Sequence, residues 1–119
     1  MAFDGLEFKW TAEVFGTNNA HMDEEHAGLF TAIDRLDAER TLGAYEALAG
    51  LVIQHFKDEE AENTLSDAHR QIHADLLTVA VAKLEELKGG AAVDDGLVNY
   101  LRNWLKNHIK GADIPSYGN

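Results

Sequence analysis

The chain reads as an all-α protein, an up-down-up-down antiparallel four-helix bundle preceded by an extended N-terminal arm. Three observations predict this. Apolar residues recur at helical spacing over four stretches, capping signals bound the stretches, and the connections between them are short. One proline, ten glycines and almost no β-branched runs favour helix over sheet. At 119 residues and 45% hydrophobic, the chain suits one domain with its own core. We assign residues 1–17 to the arm and 18–114 to the bundle.

The arm carries Phe3, Leu6, Phe8, Trp10 and Phe15 among polar neighbours. No helical stripe emerges there, so its aromatics are expected to cover apolar surface, with Trp10 as a packing anchor. The first helix follows Thr17-Asn18-Asn19, where asparagine is a good N-cap and Asp23, Glu24 and Glu25 suit the positive end of the dipole. Met22, Leu29, Ile33 and Leu36 form its stripe, His26 lies in line with them, and the helix should end near Arg40. The second runs from Thr41 or Leu42 to about Asn63, with Leu48, Leu51, Val52 and Phe56 on its buried side, continued by His55 and Glu59. Asp58, Glu60 and Glu62 read as a solvated face. The third begins at Ser66 or Asp67 and stops at Gly89-Gly90; its stripe is His69, Ile72, His73, Leu76, Leu77, Ala80, Leu84 and Leu87. The fourth opens on Asp94 as cap, turns Leu97, Leu101, Trp104, Leu105 and His108 inward, and ends by Gly111 and Pro115, with Asp113 in or past the last turn.

A net charge of -11 argues against nucleic acid or an anionic membrane as partner, because both demand basic surface. With no cysteine, disulfides, thiolate zinc sites and iron–sulfur clusters are excluded together. The N-terminus shows neither the basic nor the apolar region of a secretory signal, and no apolar run approaches about 20 residues. The expected setting is therefore soluble and intracellular, in the cytoplasm.

Five of the six histidines, His26, His55, His69, His73 and His108, fall on or beside apolar stripes. Residues four apart on a helix sit nearly above one another, so His55 with Glu59 and His69 with His73 are two vertical pairs of possible ligands. A lone histidine on such a stripe is more often a core residue than a ligand; five together point to a metal. Burying Glu59 and Asp113 unpaired would cost several kcal/mol each, a cost that a bound cation removes. Seven nitrogen and oxygen donors without sulfur are too many for one tetrahedral zinc. They suit two first-row ions sharing bridging carboxylates, with iron the usual choice. The Glu-x-x-His motif of ferritin-like di-iron bundles is absent.

At this point the sequence resembles the hemerythrins, the non-haem di-iron dioxygen-binding proteins, over essentially its whole length. The matching pieces are Phe8-Lys9-Trp10, Met22 to Phe30, His55-Phe56-Lys57-Asp58-Glu59-Glu60, His69-x-x-x-His73, and Trp104 to Asp113. The ordered set H…HxxxE…HxxxH…HxxxxD is specific, whereas any one piece alone is weak. The resemblance implies that His69, His73 and His108 hold one iron and His26 and His55 the other. Glu59 and Asp113 would bridge them, with an oxo or hydroxo as third bridge. It places dioxygen at the open position of the two-histidine iron, bound by two-electron oxidation of the pair and released again as O2. Phe56, Trp104 and Leu105 would form an apolar pocket that excludes water and anions, alongside plain core packing.

Two departures from the family pattern stand out. Only nine residues separate Glu59 from His69, where relatives usually have several more, so a thinner bundle end and faster autoxidation in air are expected. Ser116 stands where a tyrosine is common, with Tyr117 one later. His21 matches no ligand position and reads as a surface histidine.

The function expected is reversible dioxygen binding, for transport, storage or delivery, by a protein that is not an enzyme. The alternatives are an O2 or redox sensor, which generally needs an attached output domain, and a di-iron enzyme acting on peroxide, nitrite or nitric oxide. Against the latter, no acid or base is evident in the pocket. Oligomeric state has no readable signature.

Overall fold

The structure, a computed structural model, describes residues 8–17, 19–62 and 65–113, the side chains of Glu62, Ala112 and Asp113 excepted. It is all helix over this range. A single turn, α1 (Ala12–Phe15), precedes four long helices: α2 (Ala20–Glu39), α3 (Leu42–Glu62), α4 (Asp67–Lys88) and α5 (Asp95–His108). A π-helical segment, Ile109–Asp113, continues α5. The arm is thus not extended throughout. Thr11 and Gly16 flank one helical turn, whose hydrogen bonds return to the Thr11 and Ala12 carbonyls. That turn sets Phe15 into the core.

Each cap falls where side-chain chemistry demands. Asn19 accepts from the Met22 amide at 3.0 Å, Ser66 from the His69 amide at 3.1 Å, and Asp94 from the Leu97 amide at 2.9 Å. These bonds satisfy donors that a helix start leaves open. Asp23 adds to the first cap by accepting from both the amide and the hydroxyl of Thr17. α2 ends on Arg40 in the left-handed region at φ 52°, an unusual place for a non-glycine residue. Its guanidinium is correspondingly well held, donating to Asp37, to Asp95 and to the Val93 carbonyl.

α2 packs against α3 and α5, and α3 against α4. The core runs along the bundle axis through Leu29, Ile33, Leu36, Leu48, Leu76 and Leu105. The arm lies on α2: Phe8 stacks on Phe30 at 4.4 Å, and Arg102 of α5 sits over the Phe8 ring. Trp10 is half-buried against the same core, in keeping with an anchor.

Two residues assigned to buried stripes are on the surface. Leu51 is 48% exposed and Ile72 is 41% exposed. Each precedes a truly buried residue, Val52 and His73, by one position, or about 100° around the helix. The core here is narrow enough to accept only the second of each pair. The loop residues 63–64, and the expectations for Asn18, Pro115, Ser116 and Tyr117, lie outside the described residues.

Candidate metal centre

The four long helices alternate in direction, so the start of α2, the end of α3, the start of α4 and the end of α5 meet at one end of the bundle. The five stripe histidines and Glu59 sit at these four termini, and all six are buried. Glu59, His69, His73 and His108 come together, with one donor atom from each within 4.8 Å of the others. Glu59 is fully buried. Its Oε1 lies 3.1 Å from His73 Nε2 and 3.6 Å from His69 Nε2. Neither carboxylate oxygen has a hydrogen bond of acceptable geometry from any described group. A buried carboxylate left so is strongly destabilising unless a cation pairs with it.

His26 and His55 form a second pair across α2 and α3, their Nε2 atoms 3.1 Å apart. Two donor nitrogens directed at one another at that distance match the edge of a coordination sphere. A tetrahedral N/O site with bonds of about 2.0–2.1 Å has donors about 3.3 Å apart. The donors therefore fit a metal both in type and in spacing. The Asp113 side chain lies outside what is described. Its backbone position is informative: in α geometry residues five apart differ by about 140°. The π-type turn over Ile109–Asp113 stacks positions five apart instead, which is the spacing of His108 and Asp113.

Two carboxylates hold the imidazoles from outside. Glu25 Oε1 accepts from His55 Nδ1 at 2.7 Å, and Glu60 Oε2 from His73 Nδ1 at 3.0 Å. An ionised carboxylate only accepts, so the proton sits on Nδ1 and Nε2 keeps its lone pair facing inward. Reading Glu60 and Asp58 as a plain solvated face was therefore incomplete. Glu60 reaches across to α4, and Asp58 meets Glu25. Burial first, then the hydrogen bond with Asp58, pushes the Glu25 carboxyl above its usual range, while His55 pulls it down. Asp58 is held below its range by that same bond and by Gln54. The one sequence signal for these partners was position: Glu25 precedes a ligand candidate by one residue, and Glu60 follows Glu59.

Aromatic rings pack on the histidines. Phe56 stacks on His73 with centroids 3.8 Å apart, and Trp104 on His108 at 4.9 Å. Leu105 is buried one turn before Ile109. Trp104 and Leu105, with Leu29, Val52, Leu76 and Leu101, line an apolar cavity of about 490 Å³ between the four long helices; Phe56, expected to share this pocket, is not on its lining.

Buried imidazoles from four helices, three of them grouped around the buried Glu59 carboxylate, define a helical bundle with an internal metal centre. The chain belongs to the hemerythrin family: residues 17–113 match the family described as Hemerythrin HHE cation binding domain. It is 35% identical to a myohemerythrin of Theromyzon tessulatum, over 99% of this chain and 98% of that one. It is 31% identical to a bacteriohemerythrin of Methylococcus capsulatus, over 87% and 89%. The crystal structure of a wild-type hemerythrin superposes with a TM-score of 0.84 at 30% identity, covering 92% of this chain and 95% of that chain. Among the described residues, no helix is long and apolar enough to cross a membrane.

Proposed function

We propose that this chain binds dioxygen reversibly at a non-haem di-iron centre, as a carrier, store or delivery protein and not as an enzyme. His69, His73 and His108 would hold one iron, and His26 and His55 the other. Glu59 and Asp113 would span the two. When bound, the pair supplies the two electrons that hold dioxygen and recovers them on release. The observation that carries the reading is Glu59, wholly buried, without a hydrogen bond, and faced by imidazoles from α4. Family membership supports iron as the metal.

The protein's own groups define the rest. Glu25 and Glu60 hold the His55 and His73 rings in one tautomer and one orientation, so little reorganisation is needed when charge at the centre changes. Phe56 and Trp104 cover ring faces and, with Leu105, present hydrocarbon where water or an anion would otherwise enter. A small apolar gas partitions into such a lining and pays no desolvation cost.

The test is the visible and near-ultraviolet spectrum of the iron-loaded protein, reduced anaerobically, exposed to air, then purged of oxygen. Oxo-bridged ferric bands should appear with air and vanish on purging. Bands that persist would overturn reversible carriage in favour of sensing or catalysis, and absence of bound iron would overturn the centre itself.

A further inference from the structure

A second set of donors stands outside the buried centre, where α2 and α3 reach solvent. His21 Nε2 lies 3.2 Å from Glu25 Oε2 and 3.8 Å from Asp58 Oδ2. The three donor atoms lie within 4.8 Å of one another. His21 and Glu25 are one turn apart on α2, and Asp58 comes across from α3, so the group is a clasp between two helices.

Each carboxylate is already fixed through its other oxygen. Glu25 Oε1 accepts from His55 Nδ1, and Asp58 Oδ1 accepts from Gln54 Nε2, both at 2.7 Å. The two carboxyls also share a hydrogen bond with each other, and Glu25 Oε2 and Asp58 Oδ2 both face the imidazole nitrogen. The 3.2 Å separation is that of neighbouring donors around one small ion, about 3.3 Å for a tetrahedral site, and Asp58 at 3.8 Å needs to close by about half an ångström. Two carboxyls brought together on a chain of net charge -11 also favour a divalent cation electrostatically. The imidazole selects against calcium and magnesium, which prefer all-oxygen shells. Nitrogen with two carboxylates suits zinc and its first-row neighbours. The His21 side chain is 48% exposed, which leaves room for a water ligand and a route in.

We infer that His21, Glu25 and Asp58 form a surface site for a divalent cation of the zinc class, coupled through Glu25 to His55 of the buried centre. A cation on Glu25 Oε2 draws charge out of that carboxylate. Its Oε1 then accepts less strongly from His55 Nδ1, and His55 Nε2 becomes a weaker donor. The surface site thereby tunes the inner one. The coupling rests on the di-iron reading; the site itself does not.

The experiment equilibrates iron-loaded protein with ZnCl2 by dialysis at neutral pH and counts zinc and iron per chain by elemental analysis. One zinc per chain should bind while the iron content stays constant, and the ferric bands should shift. His21→Ala and Asp58→Asn should each weaken zinc binding by about tenfold or more, and His21→Ala should keep the wild-type iron content and melting temperature. Zinc binding that is absent, or unchanged in both variants, overturns the site. Zinc that binds at the site without moving the bands overturns the coupling alone. Should the inner centre take up zinc instead of iron, the wild type still holds one zinc more than His21→Ala, so the two readings fail separately.

Discussion

The two ends of the bundle are built on opposite terms. At the far end, where α2 turns into α3 and α4 into α5, the protein satisfies itself. Leu36, Ala44, Tyr45, Leu87, Val93 and Leu97 are buried against one another. The Tyr45 hydroxyl donates to the Ala80 carbonyl at 2.9 Å, and Arg40 ties the two turns together through Asp37, Asp95 and Val93. At the near end five imidazoles and Glu59 are equally buried, but the carboxylate has no hydrogen bond of its own. One end is complete as folded, and the other is completed by a cation. Aliphatic packing therefore dominates one end, while the other gathers buried metal-type donors.

The comparison breaks most sharply on metal removal. With free metal about 1,000 times above its dissociation constant, the loaded protein is stabilised by about 4 kcal/mol. Chelation should then lower Tm by roughly 15 °C, and amide exchange should accelerate first around His26, His55 and His69. Glu59→Leu should abolish loading yet melt above the metal-free wild type, since it removes a buried carboxylate in favour of packing. An unchanged Tm on chelation would mean the near end is self-sufficient after all.

Leu36→Ala strikes the other end. Truncating a fully buried leucine should cost about 3 kcal/mol, seen by chemical denaturation, while the metal content per chain stays at the wild-type value. A drop in metal content would show that the ends are not independent. Glu60→Gln is the finer probe of the near end. It leaves the metal-free protein within about 0.5 kcal/mol of wild type but puts a neutral amide oxygen where the charged carboxylate accepts from His73 Nδ1. Metal affinity should fall about 10- to 100-fold, read by competition with a chelator.

Tyr45→Phe has the smallest effect, about 1 kcal/mol for one hydrogen bond. Its signature is the pH dependence. Burial raises the Tyr45 phenol to about 12 from 10.0. A raised pKa means the neutral form is the one the folded state favours. Its contribution is complete below pH 10 and is lost as pH rises through about 12. Wild-type protein should lose stability over that window, and Tyr45→Phe should lose less of it; identical alkaline curves would contradict the assignment.

Much of this architecture is legible in the residues. Asn19, Ser66 and Asp94 are caps in sequence and in space, because a cap is a bond between near neighbours. The stripe of α2 is buried as the 3.6-residue period predicts, whereas in α5 Leu97, Leu105 and His108 are buried, Leu101 and Trp104 only partly so, and Val98 and Lys106 join the buried face. Leu51 and Ile72 were misplaced because period assigns a face but not its width, and width depends on how closely the neighbours approach. Among the site residues, His55 with Glu59 and His69 with His73 are visible as pairs one turn apart. His108 with Asp113 is not visible that way, since five-residue spacing aligns only on a π turn, and sequence period alone assumes α geometry.

What the sequence determined by itself is thus local: the helices, their ends, and the presence of seven metal-type donors in ordered spacing. The tertiary structure decided what meets across helices: that Glu60 of α3 holds His73 of α4, that Glu25 of α2 holds His55 of α3, and that His21 and Asp58 close on the same Glu25. The reason is physical. Capping and periodicity act within a few residues along the chain, whereas these contacts depend on the rotation and offset of whole helices. Those are set only when the shared core closes between them.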